Sequence, residues 1–475
     1  MQVGNKFRIY PDRSQQKMLL RWIGCQRFIY NAKVAEDRYF RTFARKSLAL
    51  CGVLPPIDQK YSQFVSIETA FLREVPSQVL RNGAYRWRGA YQRYFAKLAG
   101  RPKFRKKHGR QSVLLTRELF SLAVEDKRLR LTVGTKKCFV GKIRVVTHNP
   151  AEKDRPLPGM IAICVDAGRW FVSFNVDNEL PEPNEAAIAA RLMKMNEPEL
   201  LRQTVGIDRG VVIPAMASTG QAFDFSGIQR QRLQRAERYR KRFQRIAARR
   251  EKGSKRRRKA LDKAARCQRF QRNVRTDFAH KTSRTLVDLP GAQLFAVEDL
   301  KVRNMTASAR GTVESPGQNV KQKAGLNRAI LESAWGQTKQ YLHYKAPRAG
   351  KLAVTVPPHR SSQEYRACGH THPGNRPSQA AFVCLCCGHV ENADLNAAKV
   401  IRQRGVTRLL AGEIQFKEPR KSGIRSNARL RKSGQTRDGS ARSYARGEDV
   451  SRQRPRSPAQ PSPNRETPTT TVPTV

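Results

Sequence analysis

The sequence predicts an α+β chain of several domains, and three features predict it. Short β-rich runs broken by turn residues alternate with helical stretches whose apolar residues recur every three or four positions. Positive charge is in large excess, with 93 Lys and Arg against 38 Asp and Glu and a formal net charge of +55. Four of the nine cysteines crowd into residues 368–387 and include the spacing of a metal knuckle. A chain of 475 residues can bury more than one core. So much like charge repels itself unless a polyanion neutralises it, and nucleic acid is the natural partner. An anionic membrane surface is the rival. No apolar run is long enough to span a bilayer, and the N-terminus lacks the basic, apolar, small-residue order of a signal peptide. The expected location is cytoplasmic. Cys25, Cys51, Cys138, Cys164 and Cys267 stand singly and read as small core fillers in a reducing compartment.

Residues 3–31 read as a short strand, a turn at Pro11-Asp12 and a helix that Ser14 would cap. Met18, Leu19, Trp22 and Ile23 supply its apolar spacing, and helical texture continues to about Leu98 around a loop at 51–59. The basic, turn-rich "GRPKFRKKHGRQS" (100–112) precedes alternating "RLRLTV" and "IRVVTH". "MIAICVDAGRWFVSFNV" (160–176) is a hairpin turning at Asp166-Ala167-Gly168. Residues 100–178 thus read as a small β-barrel-like unit, closed off by "DNELPEPNEAA".

"TVGIDRGVVIPAMASTG" (204–220) is a hairpin of two buried strands. A long basic helical region follows from about Gln229 to Val287, with a break at Gly253-Ser254 and an apolar seam of Leu233, Ala236, Phe243 and Ala247. Then come a buried strand at 292–300, a helix near 326–345, a strand at 351–357 and a last helix starting at Asp394. Trp22, Trp87 and Trp335 read as core. Beyond about Gly412 the chain is Arg, Ser, Pro and Thr with few apolar residues, and disorder is expected.

Three carboxylates stand at the ends of buried elements: Asp208 after "VGI", Glu298 after "LFAV", and Asp394 before Leu395-Asn396-Ala397-Ala398. A carboxylate there is costly unless it faces a cleft or a cation; any one alone is as well explained by capping or a salt bridge. Brought together they could hold two Mg²⁺ ions bridging a scissile phosphate. The order strand–Asp, strand–Glu, cysteine ribbon, Asp–helix in a strongly basic chain suits an RNase H-like nuclease core.

At these residues the chain resembles the TnpB (OrfB) proteins of bacterial insertion sequences, relatives of type V CRISPR effectors. The matching stretches are "KFRIYP", "GCQRFIYN", "RPKFRKKHGRQS", "VGIDRG", "VEDLKVRNM", "GLNRAILESAWG", "LHYKA", "SSQEYRACGHTHPGNRPSQAAFVC" and "CGHVENADLNAAKVI", in the family's order from about residue 5 to 402. The resemblance implies an RNA-guided, Mg²⁺-dependent DNA endonuclease with Asp208, Glu298 and Asp394 as catalytic triad and Mg²⁺ ligands. Its partners would be a guide RNA from the transposon end and target double-stranded DNA. It also implies an α+β multidomain chain. A helical recognition lobe (1–99) and a β-barrel (100–178) would lead through a linker (179–203) into a RuvC-like nuclease domain (204–358). A zinc-ribbon-like insertion (359–391), the last helix (392–411) and a basic tail (412–475) would follow. Lys103, Phe104, Arg105, Lys106 and Lys107 pair phosphate-binding charge with an aromatic able to stack on a base; the plainer reading is a solvated basic loop. The basic helices at 229–284 would likewise face guide RNA or heteroduplex. An RNA-guided DNA binder that no longer cuts and acts as a repressor is the alternative.

The ribbon departs from the family's two Cys-x-x-Cys knuckles, because Tyr365 stands in place of a cysteine. Cys368, Cys384 and Cys387 remain as zinc ligands, with His370, His372 or Cys386 as candidate fourth. A ribbon held by packing alone, without metal, is the competing expectation. Ser218 and Ser361 have no His and acid nearby in sequence, so a serine nucleophile has no support, and no His-hydrophobe-His pair suggests a tyrosine transposase.

Overall fold

The computed structural model describes residues 2–51, 60–125, 128–147, 157–178 and 180–416. The expected tail from 417 onward, and most of the loop at 51–59, lie outside the described residues.

Strand β1 (Gln2–Tyr10) leads into helix α1 (Arg13–Cys51), and α2 (Ser77–Phe95) packs against it. Asp12, not Ser14, caps α1. Its Oδ1 accepts from the Gln15 N–H at 2.9 Å, and the Gln15 side chain accepts from the Asp12 N–H at 3.0 Å. Six strands follow: β2 (Gln111–Thr116), β3 (Phe120–Glu125), β4 (Arg128–Gly134), β5 (Phe139–Val146), β6 (Met160–Asp166) and β7 (Arg169–Asp177). They form one antiparallel sheet in the order β2-β6-β7-β1-β5-β4-β3. The edge strands β2 and β3 are consecutive in the chain, with only Arg117–Leu119 between them. Laid flat, seven strands would put those edges about 29 Å apart, and three residues span only about 11 Å. The sheet must therefore curl into a barrel. β1 sits at its centre between β7 and β5, so the N-terminal strand belongs to this sheet and not to the helices after it. Ile9, Trp22, Leu80, Val113 and Val172 share one core, so α1, α2 and the sheet are a single packing unit.

Two short helices, α3 (Glu185–Leu192) and α4 (Glu197–Arg202), precede the second sheet of β8 (Thr204–Asp208), β9 (Ala215–Ala217) and β10 (Ala222–Phe223). The hairpin helices α5 (Gly227–Ala248) and α6 (Lys255–Val287) come next, turned by Gly253 at φ +94° with Ser254 capping α6. β11 (Leu294–Glu298), α7 (Val302–Met305), α8 (Val320–Glu332), α9 (Trp335–Arg348) and β12 (Leu352–Val356) follow. The single helix expected near 326–345 is two, broken at Ala334 with φ +58°. The sheet order is β10-β9-β8-β11-β12, with β8, β11 and β12 parallel and β9 antiparallel. Arg269 of α6 donates to the Asp166 and Ala167 carbonyls at 2.9 and 2.8 Å, tying the β6–β7 turn to the second sheet's helices.

A ribbon of β13 (Ala381–Val383) and β14 (Val390–Asn392) runs straight into α10 (Ala393–Leu410). Asn392, the last ribbon residue, caps that helix by accepting from the Asp394 and Leu395 N–H groups. α10 lies on the sheet at two glycines. A Cβ on Gly206 of β8 would come 2.0 Å from the Ala398 carbonyl oxygen, and one on Gly405 would come 2.5 Å from the Ala296 Cβ of β11. No helix of the described residues is long and apolar enough to cross a membrane.

Gly206→Ala is therefore expected to force α10 off the sheet. Denaturant unfolding should show a loss of about 1–3 kcal/mol or more. Gly227→Ala, where a Cβ meets nothing within 4 Å, is the matched control and should cost far less.

Candidate functional site

β8 and β11 run parallel with Ile207 opposite Val297, so Asp208 and Glu298 are the next residues along two neighbouring strands. Both leave the sheet at its C-terminal end, where clefts form in open α/β sheets. Asp394, in the first turn of α10, is brought to the same end: its Oδ2 lies 3.7 Å from where a Cβ on Gly210 would be. The three acids that the sequence singles out thus meet from three separate segments. Burial, then the charges of Glu298 and Asp394, push the Asp208 carboxyl up from 3.8 to about 7. Burial also raises Glu298, opposed by a hydrogen bond from Ser361 Oγ to its Oε1 at 2.7 Å and by Arg209.

Three supporting residues were not found from sequence. Arg209 is only 5% exposed and donates to the Glu298 carbonyl, while its Nε and Nη1 are buried without a hydrogen-bond partner. Arg376, from the ribbon, donates to Asp394 Oδ1 at 3.0 Å and to the Gln379 carbonyl at 2.7 Å. Ser361 is the third. "IDRG" does place a cation beside an acid, but Arg376 and Ser361 sit 18 and 63 residues from their partners. Ser218, for its part, accepts from the Gly206 N–H at 3.0 Å inside the sheet.

Three carboxylates are an oxygen-only donor set that suits a hard divalent cation such as Mg²⁺. Their mutual repulsion, visible in Asp208, is what such a cation would relieve. They are not clustered as closely as the cysteines are, and Arg376 holds Asp394 while Ser361 holds Glu298.

Among the described residues only Cys368, Cys384 and Cys387 bring three potential ligand atoms within 4.8 Å of one another. Cys368 and Cys384 sulfurs are 3.6 Å apart, close to the edge of about 3.8 Å that a tetrahedron with Zn–S near 2.3 Å requires. Burial opposes ionisation of Cys384, yet the N–H groups of Cys387 and Cys386 bond its sulfur and bring its pKa down to about 7. Three positions of a zinc site therefore fit. His370 and His372 are not in the sulfur group; Nδ1 of His372 accepts from the Gly374 N–H, and Nδ1 of His370 contacts the Asn375 amide.

The basic stretch divides. Arg105 is pinned inward: its backbone bonds Asn31 in both directions, and its guanidinium lies 3.8 Å over the Tyr30 ring. Lys103, Lys106 and Lys107 are exposed, and Phe104 is half exposed with Arg38 4.4 Å over its ring.

Comparison with known proteins decides the family. "Putative RNA-guided DNA endonuclease InsQ" of Escherichia coli (strain K12) is 30% identical over 414 residues, 86% of this chain and 94% of that protein. The chain belongs to the TnpB (OrfB) family. A "Putative RNA-guided DNA endonuclease" of Streptomyces pristinaespiralis is 29% identical over 86% of this chain and 90% of its own length. Family profiles described as "Probable transposase", "Cas12f1-like, TNB domain" and "Helix-turn-helix domain" match residues 178–309, 335–401 and 1–38. In this TnpB chain residues 2–38 form a strand and part of one helix, with no second helix. The fold is similar to that in the "Cryo-EM structure of the Cas12f1-sgRNA-target DNA complex", with a TM-score of 0.50 at 10% identity over 85% of this chain and 98% of that one.

The raised Asp208 pKa gives a signed expectation. Between 3.8 and about 7 the native state holds a proton that the unfolded chain has lost, so stability falls as pH rises through that window. Asp208→Asn removes this slope. Without added divalent cation it should melt higher than wild type at about pH 8, with the gap closing toward about pH 4. A gap independent of pH in thermal denaturation would show that Asp208 is not the protonated acid.

Proposed function

We propose that this TnpB-family chain is an RNA-guided DNA endonuclease that cuts DNA beside a short adjacent motif, with Asp208, Glu298 and Asp394 as its catalytic acids. The second sheet, with its antiparallel second strand and three parallel strands, would be an RNase H-like (RuvC-like) core. The observation that carries this reading is the meeting of the three acids at one sheet end. It does so in a family whose matched relatives are named for that activity. When bound, Mg²⁺ would polarise the scissile phosphate and make the attacking water more acidic. The chain's own residues prepare the place. Asp208 and Glu298 are held rigidly because strands β8 and β11 are buried. Ser361 fixes one oxygen of Glu298, and Arg376 neutralises Asp394 until a stronger cation competes for it.

The partners would be a guide RNA and target double-stranded DNA; the solved relative contains both an sgRNA and target DNA. Base pairing would supply sequence specificity and the protein would sense backbone shape and the adjacent motif. Exposed Arg and Lys on α5 and α6, and Lys103, Lys106 and Lys107, support contact with phosphates. In this reading 1–178 holds the guide and reads the motif, 204–358 is the nuclease domain, and 359–391 is an inserted ribbon before the last catalytic helix.

Glu298→Gln and Asp394→Asn should each reduce cleavage of guided target DNA to background while guided binding persists, because each removes a cation ligand that acts on the chemical step. Cutting by either variant near the wild-type rate would overturn the assignment. Affinity for the guide RNA should fall steeply as salt is raised, through counterion release at many phosphates. A flat salt dependence in filter binding would mean the basic helices do not touch the backbone.

A further inference from the structure

The ribbon's two knuckles are alike in backbone and unlike in side chain. In the first, the Gly369 N–H donates to the Tyr365 carbonyl at 2.9 Å and the Tyr365 N–H to the His370 carbonyl at 3.0 Å. In the second, the Gly388 N–H donates to the Cys384 carbonyl at 2.9 Å and the Cys384 N–H to the His389 carbonyl at 2.8 Å. Gly369 and Gly388 both have φ +70°. Tyr365 is thus the positional counterpart of Cys384, at the corner where a fourth thiolate would stand. It cannot ligate there as a thiolate does. Its ring is 9% exposed, stacked on His389 at 4.5 Å and packed near Phe382.

Among the described residues no fourth ligand atom joins the three sulfurs in one group. His370 and His372 lie outside the sulfur group, each with Nδ1 facing Asn375 or Gly374. Cys386 is exposed on the same turn and its thiol interacts with that of Cys368, but its sulfur is not among the three that lie within 4.8 Å of one another. Cys368 and Cys387 are exposed, so solvent reaches the sulfur group from their side.

We propose that the ribbon binds a thiophilic divalent metal through Cys368, Cys384 and Cys387 alone and takes its fourth ligand, a small thiolate, from solution. Structural zinc sites are ordinarily closed by four protein ligands, and an open position is what lets a small molecule coordinate. This ribbon would then be an exchangeable metal site whose coordination responds to the thiol content around it.

The test uses the full chain, stripped of metal, kept reduced with a phosphine and reconstituted with Co²⁺, whose thiolate charge-transfer absorption scales with the number of sulfurs bound. Wild type should show three-thiolate intensity and gain a fourth thiolate's worth, saturably, on titration with 2-mercaptoethanol. Cys386→Ser, His370→Ala and His372→Ala should leave both spectrum and response unchanged. Tyr365→Cys should show the full intensity at the outset and lose the response to added thiol. The proposal is overturned if wild type already has four-thiolate intensity that ignores added thiol and Cys386→Ser removes one thiolate's share. Failure of wild type to bind one Co²⁺ per chain overturns it too. Should Tyr365→Cys not fold, the wild-type titration decides alone.

Discussion

The site depends on how closely the last helix can lie on the sheet. α10 touches β8 at Gly206 and β11 at Gly405, and at both places a methyl group would already be too large. Ala393, Ala397 and Ala398 on the helix are similarly small and buried, while Ile401, Val406 and Leu409 pack on the strands further along. Two strands carry Asp208 and Glu298 out at one end, and only a helix this close can present Asp394 to them. The start of that helix is fixed by the ribbon, whose last residue Asn392 is its cap and whose Arg376 holds the Asp394 carboxylate. The ribbon is therefore part of the acid site although none of its cysteines is in it.

Electrostatics divides the chain into an outside and an inside of opposite need. The surface carries most of a +55 charge, which calls for a polyanion. The sheet end holds a small knot of negative charge that the protein only partly satisfies. Asp208 is pushed toward neutrality by burial and by its two acidic neighbours, and Asp394 leans on an arginine from another module. Such partial satisfaction is costly to folding, and its natural complement is a divalent cation.

The acids were legible in the sequence because Asp208 and Glu298 end runs of buried apolar residues and Asp394 opens a helix with a buried face, local signals that need no knowledge of the fold. The supporting residues were not, since Ser361 and Arg376 matter only through contacts that form once distant segments have packed. The membership of β1 in the barrel sheet is of the same kind: its residues read as a strand, but nothing local says that it pairs with β5 and β7, more than 130 residues away. Smaller misreadings were local competitions. Asp12 outcompeted Ser14 as cap because its carboxylate reaches the Gln15 N–H, and Ala334 in a left-handed conformation split one helix into two. Arg105 carries the same charge as its neighbours, and its contacts with Asn31 and the Tyr30 ring distinguish an anchoring residue from a free one.

Tyr365 shows how far packing can stand in for a metal ligand. It lies in one apolar cluster with Phe382, Cys384 and Ala393, and Ala393 is the first residue of α10. Burying an aromatic ring of this kind is worth about 2–3 kcal/mol, against the roughly 10–16 kcal/mol that a structural zinc contributes in small zinc modules. The ring alone supplies far less than a metal would, and three thiols gathered within 4.8 Å are what a thiophilic metal would need. With a metal bound, packing and metal would divide the task. The ring secures the side of the ribbon that faces α10, where Asp394 must be held still. Cys368 and Cys387 lie on the exposed side, while Cys384 is buried beside the ring and Ala393, so the sulfur group reaches from solvent to the base of α10.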